Sequence, residues 1–366
     1  MADEATTAEA VKPDKSERKD RKYRQNERAK HWLREWMDAL LFAFIAALII
    51  RTFFFEAYRI PTPSMEQTLL TGDFLVVSKI NYGPRTPMVI GIPFTNVYLP
   101  GVSLPWTRLP GFEEVNRNDI VVFNYPIDIA PISAKTNYIK RAVGIPGDTL
   151  SIQNKMLYVN GDLSQQFDGV QKNYLVHVKA RVRLSPAKVK SAGGTLVGAQ
   201  APGTYRVNMT TEVARNISQW PEVNTVELFV LPSDFNEYSR VDFNFTRGFY
   251  NHDHLPAVVV PFEGQTITLT SDNWHIYQNI VTRYEKNDVE RDGDQFIING
   301  EPTNRYTIKK NYYFVMGDNR DNSEDSRFWG FLPADHVVGK AGMIYFSWDS
   351  ERWMPRFGRL LNFVHD

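Results

Sequence analysis

No cysteine occurs among the 366 residues, which excludes thiol nucleophiles, thiolate metal sites and disulfides while leaving the redox compartment open. Net charge is absent too. Lys plus Arg and Asp plus Glu both number 42, so overall charge gives no reason to expect nucleic acid or an acidic partner. Internal repeats are also lacking. What the chain has in quantity is apolar and aromatic material, 43% and 13% of residues, ample for a buried core in two or three structural units. Its charges are strongly segregated along the chain.

Residues 1–35 are polar, with a basic cluster from Arg18 to Arg34, and hold too little apolar surface to fold alone. A solvated tail is expected there. From Trp36 to Phe55 runs WMDALLFAFIAALIIRTFFF, whose apolar part, Ala39 to Ile50, is extended past Arg51 by Phe53, Phe54 and Phe55. About 20 residues make roughly 30 Å of helix, enough to cross a bilayer. A membrane anchor over 36–57 is therefore expected, with the lipid bilayer as a partner. A buried amphipathic helix competes, because Asp38 and Arg51 interrupt the pattern, but Arg51 lies near enough to the end to snorkel. A cleaved leader fits poorly: the charged segment is long, and bulky Phe and Tyr stand where small residues should follow. Eight basic residues (Arg18, Lys19, Arg21, Lys22, Arg24, Arg28, Lys30 and Arg34) precede the span and only Arg59 closely follows it. That asymmetry puts the tail in the cytoplasm and everything after about Glu56 outside it.

The stretch RIPTPSMEQTLLTGDFLVVSKI, Arg59 to Ile80, places Ser64 where neither solubility nor core packing explains it. Pro61 and Pro63 fix two φ angles and remove two N–H donors, holding the hydroxyl on a stiff extended or turning segment. A Pro-rich entry into a strand is the bland reading of the same residues. Gly72 and Asp73 then turn the chain into an alternating apolar run that reads as a strand. Only eight residues separate Phe55 from Ser64. At about 3.3 Å per residue the serine lies within roughly 30 Å of the membrane end. The following Ile92–Phe112 segment is loop-like yet rich in large apolar side chains, which suggests either a contact with the membrane interface or packing under the core.

RNDIVVFNYP (Arg117 to Pro126) and NYIKRAVGIPGDTLSIQNKMLYVNG (Asn137 to Gly161) are strand-like and punctuated by Pro and Gly. Lys140, in YIKRAV, has apolar neighbours and is a candidate for partial burial, although a strand lysine usually faces solvent. From about Asp162 to Asn304 several segments alternate with period two, and this reads as an all-β insertion. Its Asn251–His254 element, NHDH, has too few ligands nearby to read as a metal site, and no metal is expected. Beyond it, NYYFVMGDNRDNSEDSRFWGFLP fails as a calcium loop: counted from Asp321, Ser326 stands where glycine is needed and Leu332 where the bidentate glutamate belongs. Asp318, Asn319, Asp321, Asn322, Asp325 and Arg327 instead suggest a hydrogen-bonded charge cluster bracing a neighbouring site. Another strand, GKAGMIYFSW, and a tail with Trp353 and Arg356 end the chain.

Taken in order behind an N-terminal anchor, IPTPSMEQTLLTGDF, RNDIVVFNYP, YIKRAVGIPGD and GDNRDNSEDSRFWGFLP resemble the successive boxes of the bacterial type I signal (leader) peptidases. The resemblance covers roughly Trp36–Gly161 and Tyr306–Trp348 and leaves the middle insertion matched only in being β-rich. It implies a Ser64 nucleophile and a Lys140 general base, with the Thr62 hydroxyl joining the Ser64 N–H in an oxyanion hole. Ser323 falls where a serine orients the lysine, and Asp318, Asp325 and Arg327 fall at supporting positions. Tyr58, Ile60, Tyr138 and Ile139 correspond to strands that grip an extended substrate. Two departures stand out: Pro63 and Asn118 occupy positions where glycine is common.

The chemistry also stands without the name. Serine needs a base, no histidine lies within the four stretches, and lysine serves only when neutral. Lowering its pKa from about 10.4 to near 7–8 disfavours the charged form by about 4 kcal/mol, which burial can supply. We thus expect an α+β, predominantly β protein: a cytoplasmic tail (1–35), a single-pass anchor (36–57), an antiparallel catalytic core in two parts (58–161 and 305–350), a β-rich inserted lobe (162–304) and a C-terminal tail (351–366). Its expected activity is removal of N-terminal signal peptides from exported preproteins at a bacterial plasma membrane, cutting after small-x-small sequences, without a cofactor and with no nucleic-acid partner. Oligomeric state stays open. The competing readings are a self-cleaving Ser-Lys protease and a non-enzymatic anchored β-scaffold. A transpeptidase requires lysine three positions after the serine, and Gln67 stands there.

Overall fold

From Lys15 to Ile49 no proline or glycine interrupts the chain, and the computed structural model makes these residues one helix, α1 (Lys15–Ile49), ending in a π-helical turn over Ile50–Phe54. The structure describes residues 15–90, 99, 102, 104–235, 245 and 251–364, with backbone alone for 15–29. It comprises two compact units, Met1–Arg51 and Thr52–Asp366.

The basic segment is therefore helical from Lys15 onward, where a solvated tail was expected. Lys, Arg, Glu and Gln are good helix formers, and a segment continuous with an apolar helix extends it without the cost of a new nucleus. Lys30–Phe54 is long and apolar enough to cross a membrane, about 37 Å if helical throughout. Phe42 is 76% exposed and Leu40 and Leu41 are both well exposed, so the alternative of a buried amphipathic core helix fails. A lipid-facing helix has this signature.

In the second unit the alternating run after Ser64 becomes a strand. The principal sheet has nine strands, and its main path orders Phe55–Arg59 (β1), Asp73–Ser78 (β2), Val337–Asp349, Ile120–Asn124 (β3), Asn137–Gly144 (β4), Tyr312–Met316 and Leu332–Pro333. Every one of these pairings is antiparallel. Gly72, at φ +94°, makes the turn into β2; a Cβ there would lie 2.3 Å from the Trp348 carbonyl oxygen. β2 alternates buried and half-buried residues, whereas β3 is buried throughout, being central and covered on both faces.

Asn118 has φ 80°, its N–H donating to the Ala142 carbonyl oxygen and its own carbonyl accepting from Arg141 Nη1. That left-handed backbone explains why glycine suits the position, and asparagine tolerates it better than most residues.

The insertion is β-rich but not all-β. Its sheet of Val223–Leu228, Gln171–Val178, Thr204–Thr210 and Thr195–Ala201 packs Val176, Val207 and Met209 against two helices, Pro186–Ser191 and Thr211–Ser218. Ser185 and Thr210 cap these helices by accepting from Lys188 N and Val213 N. Both helices are short, and the period-two segments around them hid the 3.6-residue spacing of Val213, Ala214 and Ile217. The insertion shares a core with the principal sheet, where Ile267, Leu269 and Phe296 join Tyr312, Phe314 and Phe331.

The C-terminal residues are not a free tail. Met354–Pro355 and Asn362–Phe363 pair onto the Val337–Asp349 strand, and Arg359 Nη2 donates to Asp73 Oδ2 at 2.6 Å. About half of Ile92–Phe112 lies outside the described residues. Of those described, Phe112 is 86% exposed, and Leu99, Val102 and Leu109 are also exposed.

Candidate active site

Pro63, Ser64 and Met65 form a single 3-10 turn, entered from an extended Thr62 (φ −128°, ψ 154°) with proline at its first position. Proline suits that position because its fixed φ is already helical and its missing N–H has no partner to lose. Met65 and Leu69 are fully buried on either side of the Met65 carbonyl to Leu69 N–H bond, plugging the turn into the core beside Ile60, Leu75 and Ile139. From the other side Asn319 holds it, its N–H donating to the Ser64 carbonyl (3.1 Å) and its Nδ2 to the Pro63 carbonyl (3.2 Å). Ser64 is thus clamped at both ends of its own peptide while its N–H makes no hydrogen bond among the described residues.

The side chain from β4 completes the pair. Lys140 Nζ lies 2.7 Å from Ser64 Oγ and 2.9 Å from the Ile139 carbonyl oxygen, and the two residues are 3% and 7% exposed. Thr62 Oγ1 is 3.4 Å from Ser64 Oγ. Burial pushes the Lys140 ammonium down to about 8, against the carboxylates of Asp325, Glu324 and Asp318, which raise it. Tyr138 covers the amine, with its ring centroid 5.4 Å from Nζ, and itself stacks on Tyr125 at 4.5 Å. Successive β4 residues face opposite sides, so Arg141 turns away from Ser64 and grips Asp318 through two bonds of 3.0 and 2.9 Å.

The polar turn after Met316 is a set of paired charges, as its composition suggested, but two of its partners come from elsewhere. Asp318 pairs with Arg141 and accepts from Thr68 Oγ1; Asp321 pairs with Lys155; Asp325 pairs with Arg327. Asp325 is fully buried, caps the Ser326–Trp329 turn and accepts from Gly317 N and Ser323 Oγ (2.8 Å). Burial alone would raise its carboxyl, but Arg327 and these donors hold it below the ordinary range. Ser323 donates to Asp325, and Lys140 donates to Ser64 and Ile139, so Ser323 and Lys140 are not directly bonded.

Of the residues expected to grip substrate, Ile60 and Ile139 are buried together in one core cluster, Tyr138 is half-buried, and Tyr58 donates to Glu56. Among the described residues β1 pairs only with β2. β4 meets the Tyr312–Met316 strand only from Arg141 onward, so Asn137–Lys140 present an open edge next to Ser64. Sequence reasoning passed over Arg141, Thr68 and Gly317. Period two along YIKRAV, setting Arg141 opposite Lys140, is the signal that points to the first. His252, Asp253 and Asp321 bring potential ligand atoms within 4.8 Å of one another, but Lys155 Nζ already bonds Asp321 and lies 3.3 Å from Asp253. The chain supplies its own cation there. A cavity of about 750 Å³ between Lys135, Tyr284, Lys310 and His336 is lined by neither Ser64 nor Lys140.

The family model for signal peptidase, peptidase S26, matches residues 33–237 and 258–348. The chain belongs to the signal peptidase S26 family. It is 28% identical to signal peptidase I of Buchnera aphidicola subsp. Schizaphis graminum over 317 residues, 86% of this chain and 75% of that one. Against the Buchnera aphidicola subsp. Acyrthosiphon pisum enzyme the identity is 29%, over 84% and 73% of the two chains. Signal peptidase I of Pseudomonas aeruginosa is 27% identical, with 86% and 73% covered. As an S26 signal peptidase the protein is a membrane-anchored serine endopeptidase, and the self-cleaving and scaffold alternatives give way to that.

Close packing under the serine generates a prediction for the peptidase. A Cβ on Gly317 would lie 2.2 Å from Ser323 Oγ and 2.5 Å from the Ser64 carbonyl oxygen. Gly317→Ala should displace the Ser64 turn by a fraction of an ångström and lower kcat/KM about 100-fold. Turnover within threefold of wild type, measured on a folded variant, would refute this packing argument.

Proposed function

We propose that this signal peptidase cuts exported preproteins after their signal peptides with Ser64 as nucleophile and Lys140 as general base. The observation carrying the assignment is the 2.7 Å approach of Nζ to Oγ with both groups buried. Neutral Lys140 takes the proton as Ser64 Oγ attacks the carbonyl carbon before the scissile bond. The tetrahedral oxyanion accepts from Ser64 N–H and the Thr62 hydroxyl, and the Lys140 ammonium then protonates the leaving amine. Water, deprotonated by the same amine, hydrolyses the Ser64 ester. Asp325 and Arg327 brace the lysine's surroundings, with Ser323 acting through Asp325, while Asp318 holds Arg141 and with it β4. No step draws on a metal or organic cofactor.

Ser64→Ala and Lys140→Ala should each lower kcat by about 10⁴-fold or more, and the double variant should be no worse than either, because the pair moves one proton. Lys140→Arg should be as inactive, since guanidinium keeps its proton. Thr62→Val should cost about 10²–10³ in kcat. In wild type, kcat/KM should rise with pH through a midpoint of about 8, since activity needs neutral Lys140 and fades as the amine protonates below it. Wild-type turnover in either alanine variant, or a flat profile across that window, would exclude the dyad.

Substrate would add as a strand against the open Asn137–Lys140 edge of β4, facing β1, so that every second side chain points into the enzyme. Pockets walled by Ile60, Ile139 and the Tyr58 and Tyr138 rings would admit small groups only. A preprotein series with Ala, Val, Leu or Phe at each of the three positions before the bond should show strong selection for Ala at the first and third and tolerance at the second. Phe accepted at the third position as readily as Ala would contradict this register.

Orientation follows from the basic residues that precede the span, which keep the N-terminus cytoplasmic and the catalytic unit outside a bacterial plasma membrane. Protease added to sealed spheroplasts should digest the region after Glu56 and spare a tag at Met1; the reverse pattern would refute a role on exported chains.

A further inference from the structure

A second cavity, about 390 Å³, opens where the inserted sheet meets the polar turn, and it is lined by Glu66, Thr195, Arg206 and Asn322 among others. One wall is fastened directly to the serine. On the strand Thr204–Thr210, Asn208 Nδ2 donates to Asn319 Oδ1 (3.0 Å) and Asn173 Oδ1 (3.2 Å), and the same Asn319 clamps the Ser64 carbonyl. Val207 and Met209 point into the insertion's core, so Arg206 and Asn208 share the opposite face, toward this cavity.

Arg206 is the one cationic residue in the lining. Its Nε is buried without a hydrogen-bond partner, no carboxylate lies within salt-bridge distance among the described residues, and Phe229 backs its guanidinium at 5.5 Å. The two acids in the lining do not serve it: Asp321 is held by Lys155 and by Asn173 N–H, and Glu66 stops short of pairing. A partly buried guanidinium left unpaired beside hydrogen-bonding amides is matched to a carboxylate arriving from outside. The relay from Ser64 through Asn319 and Asn208 to Arg206 spans on the order of 10–15 Å, about three to five residues of extended chain. Glu66, next but one to the serine, lines the same cavity, so its wall begins two residues along the chain from Ser64.

We infer that this cavity receives the start of the mature part of the preprotein and that Arg206 selects an acidic side chain at one of positions two to five after the bond. The inference rests on the peptidase reading above and assigns the insertion a role in specificity: one strand of the lobe supplies the cation, and the asparagine ladder holds that strand at a set distance from the nucleophile.

The test uses the full chain in detergent micelles and preproteins carrying Glu or Gln at each of positions two to five after the bond. The Glu-to-Gln ratio of kcat/KM, taken within each enzyme, cancels any general loss in a variant. Wild type should prefer Glu about tenfold at one of these positions, Arg206→Gln should bring that ratio to near one, and Arg206→Glu should favour Lys there instead. Raising salt from about 50 to 500 mM should shrink the wild-type ratio, a readout that needs no variant to fold. A ratio near one in wild type at all four positions, or an unchanged ratio in Arg206→Gln, overturns the role of Arg206 while leaving the peptidase assignment standing. A wild-type enzyme that cuts none of the substrates overturns both.

Discussion

Burying an ammonium next to a hydroxyl is the constraint to which the rest of the catalytic unit answers. Left exposed, Lys140 would remain charged at neutral pH and could not accept a proton; at 3% exposure its charged form is disfavoured enough to bring the group to about 8. The same burial is opposed by three nearby carboxylates. Their effect is limited because Asp318 and Asp325 are each already bound to a guanidinium, Arg141 and Arg327. Pairing these acids elsewhere is what lets the lysine lie among them without being held fully protonated.

A second requirement is that the serine not move. Two prolines, two fully buried side chains and two hydrogen bonds from Asn319 hold a three-residue turn, with Gly317 as the close neighbour that leaves room for it. These restraints come from three distant parts of the sequence. β4 brings the lysine, the turn after Met316 brings the clamp, and the insertion supports that turn through Gln171, whose N–H donates to the Asp318 carbonyl and whose own carbonyl accepts from Arg320 N–H. The insertion is therefore mechanically coupled to the turn that holds Ser64.

Much of this was legible in the chain itself. Period-two alternation marked β2, and unbroken apolar length marked the anchor, because both are local consequences of backbone geometry. The dense acids after Gly317 read as a paired cluster, since so many carboxylates in a short turn need cations. Less legible were the short capped helices of the insertion, whose spacing is too brief to stand out, and the helical state of the basic segment, where propensity and continuity with the anchor outweighed low apolar content.

The sequence by itself determined the family, the residue types available for proton transfer and the presence of a span. Each rests on composition, order or local periodicity. Tertiary structure alone decided which charges are partners, since Arg141 reaches Asp318 and Lys155 reaches Asp321 across more than a hundred residues of chain. It also decided that Ser323 bonds Asp325 and not the lysine, and that Arg206 has no carboxylate partner among the described residues. Pairing and burial are properties of what packs against a side chain, and for these residues the neighbours are supplied by strands that the chain order keeps far apart.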